Sequence, residues 1–477
     1  MQCIIVADAK PMRVAEHRLP GRRSLILGSL AAPAFAAEAA PGPASDSIEA
    51  LLADRIEIGR DSVGYVAGII DDDGRRLITT GLSDAADGRP LDGDTVFEVG
   101  SITKVFTALL LADMVARGEV AMVDPVAKYL PPEGQPRAFD GKAITLLDLV
   151  TYTSGLPRMP TNFAPKDRAN PYADYTVQQL YQFVSGFTPR YYPGTHYEYA
   201  NLGFGLLGHA LSLRAGRGYE DLVIARICDP LGLADTRITL TPGMQARLTP
   251  GHDSELRKVS NWDLPTLAGA GALRSTANDL VRFLEACTGR RETPLQGAFA
   301  SLIEVRRPAN LSGTYAAAEG WFVTTAHDDE LVFKDGGTGG YATFIGYSTR
   351  SRVAAVLLSN AAGWESTPAL GRHLLNADYP LPTLNRQIAA IDAAKLAAYA
   401  GRYALTPAFV LTVTVKDGRL MVQATGQDEF EVFPESETRF FYRVVDAQIT
   451  FELGPDGTAS ALVLHQNGRN RRGGRLP

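Results

Sequence analysis

What most constrains this chain's fold is where its strand-like segments fall. Strand patterns occur at residues 63–70 and 75–80, joined by the turn signal Asp71-Asp72-Asp73-Gly74. They vanish over residues 124–289, where apolar residues recur at helical spacing (175–184, 202–214, 219–227 and 276–287) between proline-rich loops. They return at 321–325, 331–334, 342–347 and 353–358. Strands at both ends with helices between them fit an α+β fold. Its antiparallel sheet is flanked by helices and closed by N- and C-terminal strands, and a helical region lies beside it. Helical spacing also marks residues 47–57, and a helix over 367–376 is placed to cover the sheet.

At 477 residues the chain exceeds one ordinary core, so a second unit is expected. Residues 379–392 read as a linker between a main domain over 45–378 and a smaller one over 393–477. Short strand patterns then follow at 409–415, 419–424, 429–433, 439–444, 448–453 and 460–465, punctuated by Asp417-Gly418, Gly426, Asp456-Gly457 and Asn467-Gly468. That spacing predicts a small antiparallel β-barrel. Arg469, Arg471, Arg472 and Arg475 read as a solvated basic tail.

Residues 1–37 read as an export signal: Arg22-Arg23 precedes an apolar run, and Ala34-Phe35-Ala36 is a small-x-small cleavage site. The paired arginines resemble a twin-arginine leader. An ordinary signal peptide and an uncleaved anchor are the alternatives. The expected location is secreted or periplasmic, with no stable membrane span once the leader is removed.

Several functions are disfavoured. A net charge of −6 gives no electrostatic reason to bind nucleic acid. The seven histidines show no metal-ligand spacing, and no Cys-x-x-Cys pair exists, so neither metal nor cofactor is expected. No Gly-x-Ser-x-Gly elbow is present, which argues against an α/β-hydrolase. Whether Cys228 and Cys287 pair or stay free is open at this level.

Three short segments carry acyl-transfer chemistry, which needs a nucleophile, a base and donors for an oxyanion. Ser101-Ile102-Thr103-Lys104 opens a helix, so the lysine amine shares a face with the serine hydroxyl. Val105, Leu109 and Leu110 behind the pair would bury Lys104 and tune its basicity. Tyr199-Ala200-Asn201 precedes a second helix, and lysine cations beside it would make the Tyr199 phenolate accessible. Lys334-Asp335-Gly336-Gly337 ends a strand, where glycines let a substrate backbone lie along the edge. Each segment alone has a bland alternative: a capping serine, a loop tyrosine, a hairpin turn. Lys416-Asp417-Gly418 repeats the last letters and reads as such a turn.

Taken in order and context, the three segments resemble the serine β-lactamase and penicillin-binding protein superfamily. The likeness is to its class C-like branch, with DD-carboxypeptidases and related esterases. Residues 97–101, 149–157 and 271–280 add to a resemblance that spans about 50–377. The C-terminal segment resembles the lipocalin-like appendage of some members. By position, the resemblance implies Ser101 as nucleophile, with Lys104 and Tyr199 as base and proton shuttle. Asn201 becomes a substrate contact and Lys334 a carboxylate anchor, and the Ser101 and Gly337 N–H groups form the oxyanion hole. Asp335 departs from the pattern, which has threonine or serine there, and this bears on carboxylate recognition rather than acylation. The implied substrate is a peptide or small acyl compound, with peptidoglycan among the candidates. The activities carried forward are DD-carboxypeptidase/endopeptidase or D-amino-acid peptide hydrolase, β-lactamase and carboxylesterase, against a non-catalytic ligand-binding protein.

Overall fold

A computed structural model describes residues 43–477 except 87, 311–313, 383–387, 443–444, 446 and 467–468. The leader expected at 1–37 lies outside the described residues. Strands β1 (Gly64–Asp71) and β2 (Gly74–Gly81) form the expected hairpin. Four short strands follow, β3 (Phe97–Glu98), β4 (Gly251–His252), β5 (Lys258–Val259) and β6 (Arg274–Ser275), pairing β3 with β6 and β4 with β5. The late strands are β7 (Arg307–Pro308), β8 (Tyr315–Ala317), β9 (Phe322–Thr324), β10 (Leu331–Gly337), β11 (Ala342–Ser348) and β12 (Ala354–Ser359). They join the first hairpin in one sheet of order β2-β1-β12-β11-β10-β9-β8-β7. The N-terminal β1 therefore pairs with the C-terminal β12, as the strand distribution predicts. Strands β7 and β8 escape sequence reading because they are only two and three residues long, at the sheet edge.

Side-chain alternation sends the sheet's two faces to two cores. On one face, Tyr65, Phe333 and Phe344 pack with Leu52 of the helix Ser45–Glu57 and Leu370 of the helix Ser366–Leu375. On the other, Val332 and Val356 join the core of the helical region, including Phe106 and Phe283. The helix Thr103–Ala116 is buried on every side until its last turn, which explains its apolar composition. Phe106 stacks on Phe283 with centroids 4.6 Å apart, and truncating it to alanine would cost about 3–5 kcal/mol.

The C-terminal strands are β13 (Gly401–Thr406), β14 (Phe409–Lys416), β15 (Arg419–Ala424), β16 (Glu429–Pro434), β17 (Arg439–Tyr442), β18 (Ala447–Leu453), β19 (Ala459–Gln466) and β20 (Arg469–Arg475). Each pairs with the next and β13 pairs with β20, closing an eight-stranded barrel. Tyr399 fills part of it, its ring 5.3 Å from Phe440 and 4.7 Å from Phe451. The basic segment is solvated, as expected, but it is a paired strand rather than a free tail. Its arginines form the closing strand, which is held by backbone bonding and is largely exposed, so it needs no apolar alternation. Arg472 pairs with Glu452 at 2.7 Å. Cys228 and Cys287 are both free thiols.

Candidate active site

The site is built around a turn at Val99-Gly100-Ser101. Pairing of β3 with β6 leads the chain in, and the Val99 N–H donates to Leu273 O at 3.1 Å. Gly100 then takes φ +51°, a conformation that disfavours a side chain. The segment Gly100–Ile102 is a 3₁₀ turn, and the α-helix proper begins at Thr103, two residues later than the sequence suggests. The left-handed glycine tightens the entry, and a 3₁₀ turn stacks residues i and i+3 more directly than an α-turn. Lys104 accordingly reaches Ser101.

The Lys104 ammonium is fully buried and donates three hydrogen bonds: to Ser101 Oγ at 2.9 Å, Asn201 Oδ1 at 2.9 Å and Ala270 O at 2.6 Å. Asn201 begins the helix Asn201–Ala215, and its Nδ2 donates to Tyr172 Oη at 3.3 Å. Burial lowers the Lys104 pKa to about 8, partly countered by the charge of Tyr199. Tyr199 lies between two lysines, with Lys104 Nζ and Lys334 Nζ each 5.0 Å from its ring centroid. Burial alone would raise its phenol pKa, but the two ammonium groups outweigh burial and hold it well below the ordinary value.

Strand β10 brings in the third segment. Beyond Phe333 it pairs only with β11, so its other edge is open beside the turn at Ser101. A Cβ on Gly336 would lie 2.1 Å from Val99 O and 3.1 Å from Ser101 N, so only glycine allows this approach. Among the described residues the Lys334 ammonium is buried without a hydrogen-bond partner, 3.7 Å from Asp335 Oδ1. The Tyr199 hydroxyl is likewise buried without one. Unsatisfied groups of this kind cost about 1–3 kcal/mol each, a cost that functional sites retain. The Asp335 carboxyl, which burial would raise, is held at about 2 by Lys334 and Arg372, so it stays ionised.

All eight residues expected from sequence (Ser101, Lys104, Tyr199, Asn201, Lys334, Asp335, Gly336 and Gly337) therefore converge on one place. Further residues complete it without a motif to announce them. Tyr152 stacks on Tyr199 at 5.0 Å and holds φ +60° while buried, rare for a non-glycine residue. Tyr172 packs on Trp262 at 5.4 Å, and Trp262 faces Gly339, where an added Cβ would lie 2.7 Å from its indole nitrogen. The buried Glu98 holds that residue's backbone in place, accepting from the Trp262 backbone N–H at 2.9 Å and pairing with Arg274 at 3.2 Å. The Arg158 guanidinium lies 5.4 Å from the Tyr199 centroid. The barrel also reaches this region. Trp364 donates to Thr338 O at 3.0 Å and meets Phe430 of β16 edge-on at 6.0 Å, while Arg419 of β15 pairs with Glu255 at 3.0 Å.

Chemically, the arrangement holds a serine hydroxyl against an amine, with a phenol of depressed pKa between two cations. Among the described residues no cluster of ligands suited to a metal ion occurs, and no helix is long and apolar enough to cross a membrane.

Residues 48–378 match the Beta-lactamase family, and residues 385–474 match a domain of unknown function (DUF3471). Penicillin-binding protein 4* of Bacillus subtilis is 27% identical over 81% of this chain and 89% of its own length. The D-alanyl-D-alanine-carboxypeptidase/endopeptidase AmpH of Escherichia coli is 27% identical over 67% of this chain and 84% of its own. A crystal structure of a class C beta lactamase from Rhodobacter sphaeroides, 24% identical, aligns with a TM-score of 0.59 over 70% of this chain and 98% of that one.

Proposed function

This chain belongs to the beta-lactamase family and is a serine hydrolase of that family; we propose that it is a secreted one, acting through an acyl-enzyme on Ser101 as a D-alanyl-D-alanine carboxypeptidase/endopeptidase or D-amino-acid peptide hydrolase. The observation that carries this reading is the 2.9 Å hydrogen bond from Lys104 to Ser101 Oγ, beside a buried tyrosine of depressed pKa. A phenolate or amine at that place takes the serine proton as Oγ attacks the substrate carbonyl carbon. Lys104 and Tyr199 titrate as a pair, so the first proton acceptor belongs to the pair. The N–H groups of Ser101 and Gly337 stabilise the tetrahedral oxyanion, and the close approach of Gly336 to the serine turn supports that role. The C–N bond then breaks, and the held proton passes to the leaving amine. Water repeats the sequence on the acyl-enzyme and restores Ser101.

The named activity of the Escherichia coli relative supports a peptide substrate ending in a D-amino acid. The successive pairing of all eight barrel strands supports a lipocalin-like C-terminal domain over 393–477 after a linker at 379–392. The arginine pair and apolar run before Ala34-Phe35-Ala36 support export to the periplasm or medium. One observation favours a second reading, a carboxylesterase: Asp335 is ionised beside Lys334 and offsets the charge that a peptide carboxylate would seek.

The test is the intact mass of wild-type and Ser101→Ala protein after mixing with benzylpenicillin, with free drug assayed in parallel. A lasting adduct that needs Ser101 supports the peptidase, and drug loss without an adduct points to a β-lactamase. No adduct and no drug loss would move the assignment to the esterase, which acylation by a neutral activated ester would then show. Near-normal turnover in Ser101→Ala or Lys104→Ala would overturn the whole mechanism, since the two act as a unit.

A further inference from the structure

The site holds a cation that the acylation chemistry does not use. Lys104 is committed to Ser101, Asn201 and Ala270, and Lys334 lies against Asp335. Both lysines are fully buried. Arg158 differs: it is only partly buried, and among the described residues its guanidinium makes no hydrogen bond and no ion pair. It lies over the Tyr199 ring, 5.4 Å from the centroid.

The Arg158 backbone is tied to the segment that carries Tyr199. Its N–H donates to Glu198 Oε1 at 3.2 Å, and its carbonyl accepts from the Leu202 N–H at 3.2 Å. Pro157 and Pro160 stiffen the chain on either side. A guanidinium on an aromatic face keeps its N–H edges available, and those edges fit a carboxylate in bidentate fashion. We propose that Arg158 is a specificity-determining residue of this site, receiving the carboxylate of a substrate that acylates Ser101. Arg158 thereby takes the role that the family resemblance would give to Lys334. This rests on the hydrolase reading above and narrows it to substrates bearing a free carboxylate beside the scissile group, as in a peptide cleaved at its C-terminal residue.

The experiment uses two ester substrates that differ only in ending with a carboxylate or a carboxamide. Each is assayed with the full-length wild type, Arg158→Lys and Arg158→Met, and Ser101 acylation is followed by mass. The wild type is expected to prefer the carboxylate. Arg158→Met should lower the carboxylate-over-carboxamide ratio of kcat/KM about tenfold or more, mainly through KM for the carboxylate, with Arg158→Lys between. Equal losses on both esters, or a carboxylate preference that survives in Arg158→Met, would overturn the proposal. Failure of both esters to acylate Ser101 in the wild type is a separate outcome that removes the hydrolase reading and this inference with it.

Discussion

Gly100 and Gly337 meet backbone to backbone: a Cβ on Gly100 would lie 2.6 Å from Gly337 N and 2.7 Å from Gly337 O. Gly100 also holds φ +51°. Gly100→Ala must therefore push β10 away from the serine turn and strain its own backbone. The expected cost is about 1–3 kcal/mol in stability. The larger effect falls on acylation, because the displaced strand carries Gly337. We expect kcat/KM to drop by about a hundredfold, as when an oxyanion donor is lost. Stopped-flow acylation alongside thermal melts checks both, and a variant with wild-type acylation would show that this contact does not set the site.

The pH profile follows from the Lys104–Tyr199 pair. Two cations hold the Tyr199 pKa down, and burial lowers Lys104 to about 8. Activity needs one proton gone from the pair and the other kept. So kcat/KM should rise with pH as the first proton leaves, below the ordinary tyrosine range, and fall near pH 8 as the second leaves. Tyr199→Phe should remove the rising limb and cost about a hundredfold or more. A neutral ester keeps substrate titration out of the profile, and a rising limb retained in Tyr199→Phe would exclude the tyrosine as proton carrier.

These partners differ in how visible they are from sequence. Ser101 and Lys104 are legible because helical spacing alone puts i and i+3 on one face. Tyr199 and Lys334 become legible only through their order along the chain. Arg158 carries no such signal, since its contact with Tyr199 depends on a proline-bounded loop folding back onto another segment. The positive φ of Tyr152 is likewise imposed by tertiary packing against Tyr199 and Phe322. In the barrel, period-two patterns reveal strands with a buried face, such as β14 and β18. They miss β20, which is largely exposed, carries arginines in place of alternating apolar residues and serves to close the ladder.

The barrel should influence the cleft through one contact chain. Phe430 meets Trp364 edge-on, and Trp364 lies 2.9 Å from where a Gly337 Cβ would be. Trp364 is also pinned by its bonds to Thr338 O and Tyr341 O. Trp364→Ala should loosen the end of β10 and lower kcat/KM about tenfold, and Phe430→Ala should do so by a smaller factor. Steady-state kinetics on one neutral ester are enough. If Phe430→Ala lowers barrel stability yet leaves kcat/KM unchanged, the barrel does not act on the site through this contact.

Asp335 gives the sharpest test of the electrostatics, because it and Lys334 act on Tyr199 with opposite signs. The Asp335 carboxylate raises the Tyr199 pKa, while the Lys334 ammonium lowers it. Asp335→Thr should therefore move the rising limb of the pH profile to lower pH, and Lys334→Gln should move it to higher pH. Asp335→Thr also leaves Lys334 without the carboxylate 3.7 Å away. Acylation by benzylpenicillin and other carboxylate-bearing substrates should then quicken, by about three- to tenfold for one unscreened charge at this range, while neutral esters change little. If both variants shift the limb the same way, charge on this strand does not set the Tyr199 proton. If the limbs move as expected but carboxylate substrates gain nothing, Lys334 serves the tyrosine alone and carboxylate recognition belongs to another cation of the cleft.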